Sequence, residues 1–493
     1  MLNLCLVKIE KDRMKQVIQT IKTEWFSNVK GDILSGIVVA LALIPEAIAF
    51  AIMAGVDPMV GLYASFCIAI IISFVGGRMG MISAATGAMA LLMMPLVKQH
   101  GLQYLLAATI LAGLIQYLLG VLKVAQLMRF IPRPVMLGFV NALGILIFTT
   151  QLTHFTNVPW LTYIFAGITL VMVYTLPKYI KTIPAPLIAI VLLTAIVIGL
   201  DIELKTVGDL GTISQTLPQF LIPNIPFNFD TLMIILPYSI SLAIVGLLES
   251  LLTASVLDDM TKTNSNKNRE ARGQGFANII NGFFGGMAGC AMIGQSIINV
   301  KSGGRGRLST FVSGAFLMFL IIVLGDLVVQ IPMAVLAGIM IMVAMTTFDW
   351  TSIKYCIQSP KSDVAVMVLT IIVVLLTHNL ALGVLAGVLL SAIMFVVKLS
   401  KLNIEKKASG DKLIIKVEGQ LFFASINKLE QEVMNLQNIK TVVLDFTDAS
   451  LWDESAANAL TSIKDKLNAQ HINVQFVNLS IGHRKLKKLV SSL

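Results

Sequence analysis

Two long apolar stretches, IVVALALIPEAIAFAIMA (37–54) and LMIILPYSISLAIVGLLESLLTASV (232–256), each contain a single acidic residue, Glu46 and Glu249 respectively. A carboxylate in hydrocarbon costs several kcal/mol unless it is protonated or lines a water-filled cavity. The two stretches therefore predict membrane helices whose acids belong to a transport site or an ion path. The alternative is that each acid only makes a hydrogen bond between packed helices or lies near a helix end.

The bulk composition agrees with a membrane protein. Apolar residues make up 56% of the 493 residues and charged residues only 13%, with a mean hydropathy of +0.84. A soluble domain is about half apolar and a quarter charged, so the chain is predicted to cross a lipid bilayer many times. The net charge is +10, and its Lys and Arg residues lie in short loops beside apolar segments. This distribution indicates membrane topology and not nucleic-acid binding.

The motifs of common enzymes and metal sites do not occur in this sequence. The four cysteines form no CxxC pair, and we interpret Cys67 and Cys290 as small packing residues. No HExxH, nucleophile elbow or phosphate loop is found. We therefore expect no enzyme activity, no cofactor and no resident metal. We also expect no cleaved signal peptide, because the first 30 residues are polar and charged.

Fourteen apolar segments follow the N-terminal region. They are 34–54, 58–75, 84–97, 103–122, 134–151, 160–177, 184–200, 230–256, 273–286, 290–300, 309–325, 331–347, 364–377 and 380–397. If the N-terminus is inside, the inner loops carry 21 Lys and Arg residues and the outer loops only Lys98 and Lys205. This asymmetry predicts that both termini are cytoplasmic. We expect the chain in the inner, or plasma, membrane of a bacterium.

Two of the segments are too short to cross the bilayer as helices. They are SAATGAMALLMMPLV (83–97) and GCAMIGQSIINV (289–300), and glycines precede both. They are the third and the tenth segment, while Glu46 and Glu249 lie in the first and the eighth. These positions match if the chain is a 7+7 inverted repeat. Short, glycine-interrupted segments at matching positions are the sequence signal of a transporter site.

Half-helices at segments 3 and 10 predict a site for an anion. Their N-terminal N–H groups and dipole ends would create a positive site without a formal charge. The predicted lining is small and neutral: Ala85, Thr86, Gly87, Ala88, Ala291, Met292, Ile293 and Gly294, with Glu46 and Phe50 beside it. Glu249 would couple a proton to the anion, or a sodium ion would bind near Glu249 and Thr253.

The chain divides into three predicted regions. Residues 1–30 read as a basic amphipathic helix on the cytoplasmic membrane surface, 31–400 as the transport domain, and 404–493 as a cytoplasmic domain. In this last region, strands are predicted at 413–423, 440–447 and 472–479. Helices are predicted at 426–438, 454–470 and 484–493. Strands alternating with helices indicate a small α/β domain.

Several stretches resemble the SulP family of anion transporters. They are GDILSGIVVALALIPEAIAFAIMAGVDPMVGLYASF (31–66), ISAATGA (82–88), GLLESLLTASVLDDMT (246–261) and INVKSGGRGRLS (298–309). The C-terminal region resembles a STAS domain, with VVLDFTDASLWDESAANAL (442–460) at its signature. The resemblance covers essentially the whole chain. It implies a mobile core unit and a gate unit, a site between segments 1, 3, 8 and 10, elevator-type alternating access and a homodimer.

The sequence departs from this family pattern at five positions. Many relatives have glutamine at the position of Glu46, and several have arginine at that of Gln295. Sodium-coupled bicarbonate relatives have aspartate where Glu249 stands and a sodium-binding threonine where Ile293 stands, so protons are favoured over sodium. In the STAS region, Glu454 replaces the serine that soluble homologues phosphorylate, which argues against a phosphorylation switch there.

These observations predict a secondary transporter of a sulfate, bicarbonate or dicarboxylate anion, most simply a proton symporter. A sodium-coupled bicarbonate symporter, an anion exchanger and a channel remain alternatives, because all of them could use the same helix ends.

Overall fold

A computed structural model of the chain describes residues 19, 21–124, 126, 131–180, 183–211, 213–409, 411–434 and 439–481. Its internal contacts divide the chain into two compact units, Met1–Gly387 and Val388–Leu493. The three domain limits drawn from the sequence stay predictions. The surface helix predicted for residues 1–30 falls mostly outside the described residues.

Among the described residues of the first unit, the regular elements are helices and two three-residue strands. Its helices are α1 (Val29–Ala54), α2 (Pro58–Val75), α3 (Gly87–His100), α4 (Leu102–Val121), α5 (Arg133–Leu152), α6 (Trp160–Tyr179), α7 (Ala185–Gly199), α8 (Phe229–Thr261), α9 (Lys267–Phe283), α10 (Ile293–Lys301), α11 (Arg307–Val329), α12 (Met333–Thr347), α13 (Thr351–Gln358), α14 (Lys361–Thr377) and α15 (Leu380–Leu399), which continues into the second unit. The strands are β1 (Ser83–Ala85) and β2 (Gly289–Ala291).

Each of the fourteen predicted apolar segments coincides with one of these helices. The short amphipathic helix α13 is an additional element that the hydropathy pattern did not predict. Within the described part of the chain, nine helices are long and apolar enough to cross a membrane. The fold class, a polytopic helical membrane protein, is confirmed, whereas the count of fourteen crossings and the inverted repeat stay predictions.

The helices of the first unit pack in two groups. In one group, α11 packs on α1 and α2, and α4 packs between α8 and α9. In the other, α5 packs against α12 and α14, and α6 against α7 and α12. Contacts between the groups are sparser and include α1 with α7 and α12, and α3 with α5. The two groups therefore meet beside the short helix α3.

Strands β1 and β2 interrupt the two short segments and pair with each other. The pairing is antiparallel, with Ser83 opposite Ala291, Ala84 opposite Cys290 and Ala85 opposite Gly289. Helices α3 and α10 follow the strands after one residue, Thr86 and Met292. Because antiparallel chains run in opposite directions, the two helices leave this ladder at its opposite ends. All six strand residues are buried.

Two arginines of the predicted inner loops are structural and not merely charges that set the topology. Arg307 is 3% exposed; its Nε donates to Glu24 Oε2 at 2.6 Å, and its guanidinium also reaches the carbonyls of Ser73 and Gly76. Arg78 is 7% exposed and lies 3.4 Å from Asp258. Buried charges need such partners, so these pairs fix the loops at one end of the helices.

The second unit contains a five-stranded sheet with two described helices. The strands are β3 (Asn403–Ser409), β4 (Lys412–Leu421), β5 (Thr441–Leu451), β6 (Asn473–Val477) and β7 (Ser480–Ile481), and the helices are α16 (Ile426–Met434) and α17 (Glu454–Ala469). β3 is antiparallel to β4, and β5 is parallel to β4, β6 and β7. Buried aliphatic residues of the sheet and of both helices form its core.

Most predicted elements of this unit are present, and two strands were missed. β3 was missed because its sequence, NIEKKAS, is largely polar and mostly exposed. β7 has only two residues, too few for any periodicity. The last predicted helix, 484–493, lies outside the described residues.

Candidate functional site

The predicted anion site surrounds the paired strands. On the first side, Ala85, Thr86, Gly87 and Ala88 are all buried. On the second side, Ala291 and Met292 are buried, Ile293 is partly exposed and Gly294 is exposed. The predicted lining is therefore brought to one region, but its two sides differ in their access to solvent.

Several backbone N–H groups at the two helix starts have no acceptor. This holds, among the residues that the structure describes, for Gly87 and Ala88 in α3 and for Ile293 and Gly294 in α10. The first N–H groups of any helix lack intrahelical partners and carry its positive dipole end. The two starts can therefore offer donors to an anion.

The amides just before the helices are already occupied. The Ala85 amide donates to Ser65 Oγ at 3.3 Å, and the Ala291 amide to Ser250 Oγ at 3.1 Å. The Gly289 amide donates to Asn278 Oδ1 at 3.0 Å, and Asn278 Nδ2 donates to the Gly289 carbonyl at 2.9 Å. These side chains from α2, α8 and α9 fix the strands. Ala85 and Ala291 can therefore line the site with their methyl groups but have no free amide for an anion.

Glu46 and Phe50 connect both helix starts to one face of α1. The Gln295 Nε2 donates to Glu46 Oε1 at 2.9 Å. One turn later, the ring of Phe50 lies against Gly87, where a Cβ atom would be 2.9 Å from the Phe50 Cε1. Residues four apart on a helix are neighbours on its surface. The starts of α3 and α10 thus both reach this short stretch of α1.

Glu249 is linked to the start of α3 through Cys290. The Cys290 thiol donates to Glu249 Oε2 at 3.0 Å, and Thr86 Oγ1 lies 3.2 Å from the same sulfur. A thiol has a single proton, so the Thr86 hydroxyl is the donor in the second contact. The interpretation of Cys290 as a packing residue was incomplete. A thiol looks apolar in sequence, and only its position opposite Ala84 in the strand pair reveals this contact.

Thr253 does not point its hydroxyl proton at the Glu249 carboxylate. Its Oγ1 donates to the Glu249 main-chain carbonyl at 2.7 Å, one turn back along α8. Thr253 is buried, and its oxygen retains lone pairs that a cation could use.

Neither carboxylate has a cationic partner in the described part of the chain. Glu46 accepts a hydrogen bond from the Gln295 side-chain amide, and Glu249 accepts one from the Cys290 thiol. No described Lys, Arg or His lies within ion-pair distance of either carboxylate. Both residues are partly exposed. Their charge is therefore compensated by water, by a proton or by a bound cation.

Comparison with protein-family models gives two matches. The model described as Sulfate permease family matches residues 29–159 and 152–371, and the STAS domain model matches residues 403–489. The first contains every residue of the candidate site, and the second contains the α/β unit.

Similar proteins carry the names of anion transporters. The chain is 57% identical to YbaR of Bacillus subtilis, named for sulfate transport, over 95% of this chain and 98% of that protein. It is 26% identical to the bicarbonate transporter BicA of Picosynechococcus, covering 94% and 91% of the two chains.

Solved structures give the same architecture. The transmembrane domain of a cyanobacterial BicA matches with a TM-score of 0.65 and 29% identity, covering 73% of this chain and 98% of that domain. Murine Slc26a9 in its inward-facing state matches with a TM-score of 0.81 and 19% identity, covering 95% and 88% of the two chains, which shows the fold alone. The chain belongs to the sulfate permease family of membrane anion transporters, which are not enzymes, and it carries a C-terminal STAS domain.

Proposed function

We propose that this anion transporter moves a small inorganic or carboxylate anion together with a proton, and that Glu249 carries the proton. The substrate classes are those of the sequence prediction: sulfate, bicarbonate and dicarboxylates. The observation that carries the proposal is the contact chain from Glu249 through the Cys290 thiol to Thr86 at the start of α3. It joins an acid without a cationic partner to a helix end that can bind an anion.

The proposed anion site is formed by N–H groups and small side chains. The unpartnered amides of Gly87, Ala88, Ile293 and Gly294 are the donors, and Glu46, Phe50, Ala85, Ala291 and Met292 form the walls. Helix N-termini favour anions without a buried lysine or arginine. An ionised carboxylate beside the anion would repel it. Protonation of Glu249 removes that repulsion, so proton and anion are bound together.

Sodium coupling is the alternative, with an ion near Glu249 and Thr253. It is favoured by the two side chains lying one turn apart on α8 and by the similarity to BicA, a bicarbonate transporter. It is disfavoured because Ile293 provides no side-chain oxygen at the start of α10, and hard cations bind through oxygen ligands.

Alternating access of the elevator type is part of the proposal. The group containing α1 to α4 and α8 to α11 would move against the group containing α5 to α7, α12 and α14. Support comes from the sparse contacts between the groups and from the position of Gly87, which faces Ile147 of α5 across the boundary. We also propose a homodimer in the bacterial inner membrane with both termini cytoplasmic, from the family resemblance and the lysine distribution.

Uptake into proteoliposomes tests the coupling. Labelled sulfate, bicarbonate and a small dicarboxylate would each be offered with and without an inward proton gradient, and with and without sodium. For a one-to-one symporter, one pH unit drives accumulation on the order of tenfold, because each unit equals 1.36 kcal/mol. Glu249→Gln should abolish this accumulation and still permit exchange of labelled for unlabelled anion.

Glu46→Gln is the matched control, because it removes the other acid and introduces the residue that many relatives have there. It should retain accumulation driven by the proton gradient. Undiminished proton-driven accumulation by Glu249→Gln would refute the assignment of Glu249. Accumulation that needs sodium and ignores pH would replace the proposal by the sodium alternative. Flux that does not saturate would indicate a channel.

A further inference from the structure

A separate cavity lies where α5, α6, α12 and the loop before α8 come together. Its volume is about 120 Å³. Its walls are formed by Thr153, His154, Thr156, Val158, Pro159, Thr162, Leu204, Lys205, Met333 and Ala334. None of these residues belongs to the site around β1 and β2. The distribution of Lys and Arg between the loops predicts that all of them lie on the outer side of the membrane.

The polar groups of this cavity are suited to an anion. Lys205 provides an ammonium group, and His154 an imidazole N–H. Thr162 is 9% exposed, and its hydroxyl makes no hydrogen bond with any residue that the structure describes. This hydroxyl lies in the cavity wall and is open to a ligand or to water. The described lining contains no carboxylate.

Two helices begin at this cavity as well. Helix α6 starts at Trp160, directly after Pro159, and α12 starts at Met333. Their dipole ends add to the positive potential of Lys205. The Met333 amide is occupied, since it donates to the Lys205 carbonyl at 2.8 Å. That bond holds the backbone of Lys205 beside the start of α12.

The turns that form the walls are held by local hydrogen bonds. Thr153 and Thr156 donate to carbonyls three residues back, at 2.7 and 2.8 Å. The nearby acid Asp209 is engaged by the amide and hydroxyl of Thr206, at 2.7 and 3.1 Å. No described carboxylate lies within ion-pair distance of the Lys205 ammonium.

We propose that this cavity is a second anion site, which binds a small inorganic anion through Lys205, His154 and Thr162. The volume of about 120 Å³ has room for several waters, so the cavity accepts a halide or a small oxyanion. The site lies among helices of the α5–α7, α12 group, away from the strands. By the predicted topology, it lies on the outer side of the membrane.

Iodide quenching of Trp160 fluorescence tests binding without any need for transport. Trp160 is 69% exposed and follows a wall residue of the cavity. Its signal is isolated as the difference between the full-length protein and its Trp160→Phe variant, both in detergent. Potassium gluconate keeps the ionic strength constant while iodide is varied. Lys205→Gln should lower the iodide quenching constant of Trp160 about two- to fivefold, and quenching by neutral acrylamide should not change.

The matched control is Lys98→Gln, which removes the other lysine of the predicted outer loops but does not border the cavity. It should leave the quenching constant unchanged. Thr162→Val keeps the charge and nearly the volume, and it should lower the constant by less than Lys205→Gln does. An equal fall of the quenching constant in Lys205→Gln and Lys98→Gln would indicate a general effect of surface charge and would overturn the site. An unchanged constant in Lys205→Gln, or in Thr162→Val, would also overturn it.

The consequence for uptake rests on the proposed function. If anions pass through the cavity on the way in, Lys205→Gln raises the KM for uptake at low salt and leaves kcat unchanged. Because quenching is measured without transport, a protein that fails to accumulate anions could still bind iodide there. Failure of the site and failure of the proposed function are thereby distinguishable.

Discussion

The two broken segments share one plan, a three-residue strand followed by a short helix, but their first helical turns have different surroundings. In α3, Gly87 is packed against Phe50 and Ile147. In α10, Gly294 is exposed, and a Cβ atom added there would meet nothing within 4 Å. The start of α3 is therefore held by packing, whereas the start of α10 faces open space.

The largest effect is expected where the two segments touch. A Cβ atom at Gly289 would be 2.7 Å from the carbonyl carbon of Ala84 and closer still to its oxygen. Backbone atoms cannot rotate away, so Gly289→Ala should destabilise the protein by about 3 kcal/mol. Thermal unfolding followed by size-exclusion chromatography in detergent measures this. Unfolding of Gly289→Ala at the wild-type temperature would contradict the close pairing of the strands.

Next in size is the loss of the thiol between the segments. Cys290→Ala removes the donor to Glu249 and the acceptor of Thr86, so catalytic efficiency of uptake should fall about tenfold, equivalent to 1.4 kcal/mol. Cys290→Ser keeps a donor and should recover most of the loss. Initial uptake rates over a range of anion concentrations give kcat/KM. Equal rates for Cys290→Ala and the wild type would show that the contact chain has no role.

A smaller effect is expected at the packed helix start. Gly87→Ala forces the side chains of Phe50 and Ile147 to move, which should cost about 1 kcal/mol. Replacing Phe50 with leucine makes room, so the double variant Gly87→Ala, Phe50→Leu should recover at least part of the loss. A double-mutant cycle on thermal or denaturant unfolding measures the coupling. Strict additivity would mean that Phe50 does not support Gly87.

The smallest effect on stability, with the opposite sign, is expected at the open helix start. Gly294→Ala reduces the freedom of the unfolded chain without a clash, and should be neutral or stabilising by up to about 1 kcal/mol. If the anion approaches this backbone, the added methyl group should nevertheless raise the KM for uptake. Lower stability of Gly294→Ala would remove the contrast between the two segments, and an unchanged KM would place the anion elsewhere.

The sequence predicted the broken segments because small residues and short length are visible in the chain itself. It could not predict that Ser83–Ala85 pairs with Gly289–Ala291. Strands of three residues have no measurable periodicity, and side chains of α2, α8 and α9 hold them in place. For the same reason the contact of Cys290 with Thr86 was missed, since the two residues are 204 positions apart in the chain.

Other site residues were predicted from side-chain chemistry alone. Glu46 and Glu249 stood out because acids are costly in hydrocarbon, and the structure places both beside the interrupted segments. The cavity at Lys205 and Thr162 gave no such signal. Its residues come from three separate regions of the chain, and each is an ordinary loop or helix-end residue in sequence.

The register of the strand pair has a consequence for how chain length can vary. Inserting or deleting one residue within β1 or β2 would shift every partner by one place and turn the following helix by about 100°. Such a change would swing Thr86 away from Cys290, or Gln295 away from Glu46. Length variation among natural variants should therefore be absent from 81–88 and 287–295 and concentrate in 200–229, the long connection before α8.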